Sequence, residues 1–467
     1  MILTDSTNLP ATVTAPGYDR ANLTPGIVHL GFGAFHRAHQ AVATQAALRR
    51  HFGPWGIVAV NLRSAGPIRD LEAQHGLYSV TTRGAEGDAI EVIGATVGWL
   101  CAADDAQAVL ARMADPATRI VTLTVTEKAY GLDPAMGGLD TAHPAVAADL
   151  ANPANPTGAV GLIVEALARR RAAGIAPFAA LSCDNLPGNG EVLARLVHDM
   201  ATRRDPALAD WIAAHGAFPS SMVDRIVPAA SDEARARAAS ALGTDDALAI
   251  ETEPFLQWVI EDHFPQGRPE WEEAGAIFVT DVAPYEKMKL RMLNGAHTLT
   301  AHLGILNGLE HVRDVMAVPH LAAQIRAHME AAAATLDPVP GIDLAAYRDD
   351  LLARFANPAI AHRCIQIAMD TTQKLPQRIL SPAVDALAAG SDAAAFARAT
   401  AAWIAALERG PWASDPRATE LEAAVAAMRP DAPSAPFFAL AGLFPDTLSS
   451  NTAWRALVDD AVREFRA

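Results

Sequence analysis

The sequence is poor in cysteine, and the few cysteines present are widely separated. Only Cys101, Cys183 and Cys364 occur in the 467 residues, and no CxxC pair is among them. An odd, scattered set fits neither a disulfide framework nor a structural zinc site. The sequence therefore predicts a protein of a reducing compartment.

Long apolar runs and an excess of basic residues are lacking as well. Nowhere do about 18 uncharged apolar residues follow one another, and residues 1–10 show no basic stretch leading into an apolar one. We therefore expect a cytoplasmic protein with no membrane partner. Acidic residues (53) outnumber Lys and Arg (37), which gives a formal net charge of -16. This balance argues against a nucleic-acid partner.

Apolar residues are abundant, at 51% of the chain, although aromatic residues are only 6%. A chain of this length and composition buries a sizeable core and has room for two or three domains. The N-terminal part begins with a strand from Gly26, two spaced glycines at Gly31 and Gly33, a helix over 34–49 and a second strand over 55–60. Further strands are predicted over 90–97, 119–125 and 178–183, and further helices over 105–114 and 158–173.

Strands that alternate with crossover helices predict an open, mostly parallel sheet of the α/β Rossmann type. After about Pro284 the strand-like runs nearly vanish, and Ala/Leu-rich helical segments continue to Ala467. We therefore expect a Rossmann-type domain over 1–283 and a mainly α-helical C-terminal domain over 284–467.

Gly31 and Gly33 stand where a dinucleotide-binding fold needs glycine. The backbone there approaches a pyrophosphate, which binds to the N–H groups that open the next helix. His36 replaces the third glycine of the usual fingerprint, and a GxG spacing by itself is also typical of a plain strand-to-helix turn.

A longer string around this turn is more specific. Residues 31–40, GFGAFHRAHQ, resemble the nucleotide-binding turn of the polyol-specific long-chain dehydrogenases, the family of mannitol 2-dehydrogenase and fructuronate reductase. Other strings resemble that family in the same order: TVTEK at 124–128, SCDN at 182–185, MVDRI at 222–226, EPF at 253–255, KLRMLNGAH at 289–297 and KLP at 374–376. The resemblance implies a nicotinamide-dependent dehydrogenase that oxidises a secondary alcohol without a metal.

The resemblance also implies which residues bind the cofactor. They are Gly31, Phe32, Gly33, Ala34, Phe35, His36, Arg37, Asn61, Arg63 and Thr126. Many NAD-binding folds place an acid after the second strand to hold the ribose diol, but here Leu62-Arg63-Ser64 is followed by Ala65-Gly66. The resemblance favours NAD, whereas the missing acid and Arg63 leave NADP open.

The segment 284–297 predicts the helix that carries the catalytic groups. At about 100° per residue, Lys289, Asn294 and His297 fall within an arc of roughly 140°. A lone lysine on a helix is usually a solvated charge, but the Lys-x4-Asn-x2-His spacing resembles the active-site signature of the family. Alcohol oxidation needs a base within hydrogen-bond reach of the hydroxyl, and the resemblance assigns that role to Lys289.

Other groups are expected to support this base. Partial burial and the neighbouring cations Lys287 and Arg291 would lower the pKa of Lys289 from about 10.4. Asn294 and Asn185 can donate hydrogen bonds to the oxygen as it becomes alkoxide-like.

Three further residues match family active-site positions, and each has a structural alternative. His297 orients a substrate hydroxyl or is a satisfied core histidine. Glu286 relays a proton from Lys289 or, as a first-turn acid, complements the helix dipole. Asp224 binds substrate or pairs with Arg225. No His/Cys/Asp cluster has metal-ligand spacing, so no metal is expected.

Two enzyme functions remain open, and they differ by one carboxylate. The strings HRCIQIAMD at 362–370, KLPQR at 374–378 and EKAY at 127–130 resemble the uronate-reductase branch, which interconverts D-mannonate and D-fructuronate. Thr371-Thr372 departs from the Gly-Ser expected there. The alternative is a mannitol-type polyol dehydrogenase acting on mannitol and fructose or on arabinitol and xylulose.

A substrate carboxylate needs a planar, bidentate cation, which arginine supplies best. We expect Arg363 to bind it, with Lys374 and Lys128 as further candidates. The structural alternative is a surface Arg363 that pairs with Asp349 or Asp350.

A third function, of another class, is a dinucleotide-binding sensor without turnover. The joint presence of Lys289, Asn294, His297 and Asn185 argues against it, since a sensor needs no base. The resemblance and the large helical domain favour a monomer.

Overall fold

The computed structural model describes residues 2–133, 137–410 and 414–467. The chain divides into two compact units, Met1–Ala283 and Pro284–Ala467. Within the described residues, no helix is both long enough and apolar enough to cross a bilayer.

The first unit mixes strands and helices. Its strands are β1 (Val13–Thr14), β2 (Pro25–Leu30), β3 (Gly56–Asn61), β4 (Tyr78–Gly84), β5 (Gly87–Ile93), β6 (Thr96–Cys101), β7 (Ile120–Leu123), β8 (Ala179–Ser182), β9 (Ser221–Asp224), β10 (Ile250–Thr252), β11 (Gln257–Glu261) and β12 (Ile277–Val279). Its α-helices are α1 (Ala34–Ala38), α2 (Gln40–Arg50), α3 (Gly66–Ala73), α4 (Ala102–Ala114), α5 (Pro144–Ala151), α6 (Ala159–Ala172), α7 (Asn189–Arg204), α8 (Pro206–His215) and α9 (Asp232–Leu242).

The central sheet has five parallel strands in the order β6-β3-β2-β7-β8. Its strands are short apolar runs such as IVAV in β3 and IVTL in β7, as expected for a sheet covered on both faces. Alternation along β2 places Val28 and Leu30 in one apolar cluster and Ile27 in the other. The predicted Rossmann-type fold is confirmed.

The strand order reverses at β2, because β3 lies on one side of it and β7 on the other. In open α/β sheets a crevice forms beyond the carboxyl ends of the strands at such a point. The residues that follow these ends here are Gly31 after β2, Leu62 after β3 and Thr124 after β7.

Two smaller sheets, β1-β5-β4-β10 and β12-β11-β9, were not expected from the sequence. The single strand predicted over 90–97 is wrong, because it spans the end of β5 and the start of β6. The Arg20 guanidinium donates to the carbonyl oxygens of Gly94 (2.9 Å) and Thr96 (3.1 Å) and so holds the bend between the two strands.

The helix predicted over 34–49 is interrupted at His39, whose backbone is not helical (φ −121°, ψ −84°). Its ring nitrogen Nε2 lies 3.1 Å from the carbonyl oxygen of Gln257 on β11. This tertiary contact has no local signal in the sequence.

The second unit is helical, with no strand among its described residues. Its α-helices are α10 (Ala283–Met288), α11 (Gly295–Asn307), α12 (Val312–Met316), α13 (Pro319–Ala333), α14 (Leu344–Phe355), α15 (Cys364–Ile367), α16 (Thr371–Leu375), α17 (Ser381–Ala388), α18 (Ala394–Leu407), α19 (Ala418–Ala426), α20 (Ala435–Phe438), α21 (Asp446–Ser449) and α22 (Thr452–Arg466). Two π-helical segments, Lys289–Asn294 and Pro376–Leu380, complete it. The buried helix α18 packs on α11 and α22 and forms its centre.

Candidate active site

A cleft of about 520 Å³ opens at the carboxyl ends of β2, β3 and β7 in the first unit. It is lined by Gly31, Phe32, Gly33, Asn61, Leu62, Arg63, Ser64, Pro67, Thr124, Val125, Thr126, Lys128, Ala129 and His143. Six of the residues expected to bind a cofactor are therefore together: Gly31, Phe32, Gly33, Asn61, Arg63 and Thr126. Sequence reasoning missed His143, whose buried Nδ1 has no hydrogen-bond partner.

The two glycines of the turn serve different purposes. Gly31 has φ +101°, and a Cβ there would overlap the carbonyl oxygen of Thr124. Only glycine fits both constraints. A Cβ on Gly33 would meet nothing closer than 3.8 Å, so this backbone is open for a ligand to approach. The cleft therefore fits a dinucleotide, whose pyrophosphate needs such an approach.

Four residues expected to bind cofactor do not line the cleft, namely Ala34, Phe35, His36 and Arg37. The His36 ring is fully buried and stacks on the His29 ring at 3.4 Å between centroids. Arg37 donates to the carbonyl oxygen of Leu248 and contacts that of Gly33. The side chains of His36 and Arg37 therefore support the turn from inside the fold.

The part of the cleft that follows β3 carries a cation and no acid among its lining residues. Arg63 is exposed there, and the Asn61 side chain donates to the carbonyl oxygen of Ser64 (3.0 Å), which holds this loop. Lys128, predicted as a substrate ligand, is exposed in the segment that follows β7. β7 and β3 lie on opposite sides of β2 in the sheet.

Asp184 holds the loop that follows β7. Its carboxylate accepts from the backbone N–H groups of Val125 (3.0 Å) and Thr126 (2.9 Å) and from the Tyr130 hydroxyl (2.8 Å). Thr126 has φ +72°, a strained conformation for a residue with a Cβ. Burial raises the pKa of Asp184 above its usual value. Sequence reasoning quoted the SCDN string but gave Asp184 no role.

Two further predicted residues also follow strands of this unit. Asn185 is exposed just beyond β8 and next to Asp184. Asp224 is buried, at the last position of β9. Arg225 donates to the carbonyl oxygens of Glu253 and Ala38.

In the second unit, Lys289, Asn294 and His297 are brought together on one buried segment, with 7%, 7% and 8% of their surfaces exposed. The predicted regular α-helix is wrong for this segment, since Lys289–Asn294 is a π-helix in which the Gly295 N–H bonds to the Leu290 carbonyl. Because π bonds link residues i and i+5, Lys289 and Asn294 lie about one turn apart on one face. An α-helix would separate them by about 140°.

Gly295 permits this arrangement. A Cβ on it would lie 2.8 Å from Nε2 of His328 and 2.9 Å from the carbonyl oxygen of Arg378. The second π segment, which contains Arg378, therefore packs directly on the first.

The cations expected to lower the pKa of Lys289 have other partners. Arg291 pairs with Asp385 and donates to the Thr335 hydroxyl (2.7 Å), and the Lys287 ammonium lies 3.8 Å from Asp337. Each of the two cations expected to act on Lys289 therefore has an acidic partner of its own. Glu286 is half-buried in the first turn of α10, one turn before Lys289.

His297 lies in an unusual environment for a core histidine. Its ring stacks on Phe355 (4.2 Å, 3°) and meets the His362 ring edge-on at 5.4 Å. Burial, followed by the charges of His362, Arg354, Arg378 and Lys289, holds the pKa of His297 well below 6.5. Buried Nε2 of His297 and Nδ2 of Asn294 have no hydrogen-bond partner among the residues that the structure describes. Such atoms are costly unless a ligand satisfies them.

Arg363 and Lys374, which the sequence predicts to bind a substrate carboxylate, both have partners within the protein. Arg363 is 58% exposed and pairs with Glu310 at 3.2 Å, not with Asp349 or Asp350. Lys374 donates to the carbonyl oxygens of Ile367 and Met369. Sequence reasoning passed over Arg354, Arg378 and His362 as candidates, although Arg378 and His362 are in the quoted strings.

Metal-ligating side chains meet at one place in the described residues. His51, Glu270 and Glu273 lie close together there and are all exposed. None of them belongs to either group of site residues above.

Comparison with known proteins gives a consistent result along the chain. The mannitol dehydrogenase Rossmann domain model matches residues 25–273, and the mannitol dehydrogenase C-terminal domain model matches residues 281–445.

Relatives are found at high identity. The D-mannonate oxidoreductase of Escherichia coli (strain K12) is 48% identical over 380 residues, 80% of this chain and 78% of that protein. The uncharacterized oxidoreductase YeiQ of the same organism is 49% identical over 381 residues, with the same coverage of 80% and 78%. A solved structure, Pseudomonas fluorescens mannitol 2-dehydrogenase in ternary complex with NAD and D-mannitol, matches with TM-score 0.87, 37% identity and coverage of 100% and 97%.

Proposed function

Because this chain belongs to the mannitol dehydrogenase family of oxidoreductases, we propose that it interconverts D-mannonate and D-fructuronate with a nicotinamide cofactor. The observation that carries the proposal is the buried segment Lys289–His297. It holds an amine, an amide and an imidazole, and buried polar atoms of the last two have no partner within the described residues. A polar ligand that bonds to them removes that cost.

The reaction removes a proton from the hydroxyl and a hydride from its carbon. Bound nicotinamide dinucleotide supplies the hydride acceptor. The neutral Lys289 amine accepts the hydroxyl proton, and we propose that Glu286, one turn earlier, passes it on. Nδ2 of Asn294 donates to the oxygen as negative charge develops, and we propose Asn185 as a second donor. Neutral His297 orients a neighbouring hydroxyl through Nε2.

We propose NAD as the cofactor, with NADP accepted. The relative with D-mannitol binds NAD, whereas the cleft here has Arg63 and no lining acid after β3. Gly66 has open space, since a Cβ there meets nothing closer than 3.9 Å. Gly66→Asp should therefore fold normally and raise the KM for NADP more than that for NAD, by charge repulsion. Equal effects on both cofactors would place the 2′-phosphate elsewhere.

Asp224, Lys374 and Lys128 remain further candidates for substrate contacts. We propose D-mannonate as the preferred substrate, ahead of D-mannitol. The 48% identity to D-mannonate oxidoreductase supports it. D-Mannitol is the second candidate, because the structure with TM-score 0.87 holds that polyol.

The test is a turnover panel of D-mannonate, D-mannitol and D-arabinitol with each cofactor, followed by nicotinamide absorbance. We expect D-mannonate to give the highest kcat/KM. A preference for D-mannitol would replace the uronate assignment with the polyol one, and no turnover on any substrate would favour a sensor.

A further inference from the structure

The side chains around His297 form a basic cluster in the second unit, defined here as Arg378, His362 and His297. We propose that this cluster is the subsite that binds the carboxylate of a sugar-acid substrate, with Arg378 as its charged anchor in place of Arg363. The inference rests on the proposed function, since it concerns the same substrate. It assigns a role to Arg378 and His362, for which sequence reasoning had none.

Arg378 is fixed close to the catalytic segment by its backbone and its side chain. Its carbonyl oxygen packs against Gly295, where a Cβ would be only 2.9 Å away. Its Nη1 donates to the Thr298 hydroxyl at 3.3 Å, and that hydroxyl donates to the Asn294 carbonyl at 2.9 Å. The guanidinium therefore lies one helical turn beyond Asn294 and is half-buried, where it is screened less than a surface cation.

The two histidines add neutral polar atoms to this charge. The ring of His362 stands at 85° to that of His297, with centroids 5.4 Å apart. Nδ1 of His362 and Nε2 of His297 are both buried, and neither has a hydrogen-bond partner in the described part of the chain. Nδ1 of His362 and the Arg378 guanidinium suit a carboxylate, which offers two acceptor oxygens, while Nε2 of His297 keeps the hydroxyl next to it.

The electrostatics agree with this geometry. After burial, the groups that lower the pKa of His297 most are His362, Arg354, Arg378 and Lys289, all of them basic. Two of these groups, Arg354 and Arg378, stay charged while His362 and Lys289 are neutral, and their charge favours a carboxylate over the hydroxyl of a neutral polyol.

The experiment compares Arg378→Gln with Arg363→Gln, which removes an exposed, ion-paired guanidinium of the same unit. Turnover of D-mannonate and D-mannitol is measured for the wild type and both variants. Loss of a charged partner for a buried carboxylate predicts a fall of about 30-fold or more in kcat/KM for D-mannonate. We expect only about a threefold change for D-mannitol, and near wild-type values for Arg363→Gln.

Binding separates this inference from the proposed function. D-Mannonate is titrated by calorimetry into enzyme saturated with reduced cofactor, in which oxidation cannot proceed. Weaker binding in Arg378→Gln but not in Arg363→Gln supports the subsite even if the wild type turns over no substrate. A wild type that oxidises D-mannitol but does not bind D-mannonate overturns the subsite and leaves the dehydrogenase activity intact.

Two further variants distinguish the loss of a binding group from the loss of folding. Arg378→Lys keeps the charge and should recover part of the D-mannonate activity. His362→Phe keeps the edge-on ring contact but removes Nδ1, and it should weaken D-mannonate more than D-mannitol. Equal losses on both substrates in Arg378→Gln, with unchanged melting temperature, would show that Arg378 supports the catalytic segment only and would overturn the proposal.

Discussion

Lys289 is an ionisable side chain that is buried like a core residue. A buried ammonium is unfavourable because it loses its hydration, so burial favours the neutral amine that a base requires. The nearby cations Lys287 and Arg291 were expected to contribute, but each has an acidic partner. At the scale of one residue, the observation that supports the proposed role is the burial of Lys289.

Lys289→Ala should lower kcat by roughly two to four orders of magnitude, the usual contribution of a positioned acid–base group. Cofactor affinity should stay near the wild-type value. Lys287→Ala is the matched control, since it removes a half-exposed lysine two positions earlier on α10. Activity within a few-fold of wild type in Lys289→Ala would remove it from the catalytic role. In the wild type, alcohol oxidation should rise with pH, because a protonated amine accepts no proton.

Gly31 and Gly33 give a second test, because identical substitutions should fail for different reasons. Gly31→Ala forces a Cβ onto the Thr124 carbonyl at a positive φ, so we expect lower stability, by at least about 1 kcal/mol, and loss of cofactor binding. Gly33→Ala has room for its methyl group, so the melting temperature should hardly change while the cofactor Kd rises. Equal melting temperatures for the two variants would contradict this distinction.

The sequence predicted single positions well where one local rule decides them. The glycine pair at Gly31 and Gly33 follows from the strand-to-helix turn of a dinucleotide-binding fold, and both residues line the cleft. The surroundings of Arg363 could not be predicted from the sequence. Its exposure and its ion pair with Glu310 depend on a neighbouring segment, and residue spacing contains no information about that contact. The burial of the His36 ring did not follow from the sequence either, since its stacking on His29 is a tertiary contact.

Among the elements, the central strands were predictable and the π-helical segments were not. Apolar runs such as those of β2, β3 and β7 leave few alternatives in a two-sided sheet. The π turn at Lys289–Asn294 has the residue pattern of any buried helix, and it depends on Gly295 meeting Arg378 across the unit. Local propensity contains no information on such a contact.

The loop after β7 provides the prediction at this scale. Asp184→Asn replaces one carboxylate oxygen by a donor, which must lose at least one of the bonds from Val125, Thr126 and Tyr130. Hydrogen bonds to a charged group contribute about 1.5–3 kcal/mol, so the cofactor Kd should rise roughly tenfold as strained Thr126 relaxes. Asp199→Asn, which affects one bond to Leu139 (3.2 Å), is the control. Unchanged cofactor affinity in Asp184→Asn would show that the loop does not position the ligand.

Across the whole molecule, several histidines are buried in neutral form. Burial holds the pKa of His29 at about 3 and those of His302 and His328 at about 4. The pKa values of His36 and His297 are also well below 6.5. Between these values and about 6.5 the unfolded chain binds protons that the folded chain does not. Stability is therefore complete above that range and decreases as the pH falls through it.

We expect His29, His302 and His328 each to cost about 1.4 kcal/mol of folding stability at pH 5.5, a large loss for a protein of ordinary net stability. Urea unfolding from pH 7.5 to pH 5.5 measures it. His328 lies beside Phe396. His328→Phe should reduce the slope of the unfolding free energy against pH by the equivalent of about one bound proton. A free energy of unfolding that is constant over this range would contradict the prediction.

The π turn also limits how the catalytic signature can be transplanted. Deleting one residue between Lys289 and Asn294 would restore an ordinary helix in which the amine and the amide, now four residues apart, stay within about 40° of each other on one face. Keeping the spacing on an ideal designed helix would instead turn the amide away from the amine by about 140°. An engineer who copies the five-residue spacing must therefore copy the wider turn, the glycine after it and the packing partner that glycine admits.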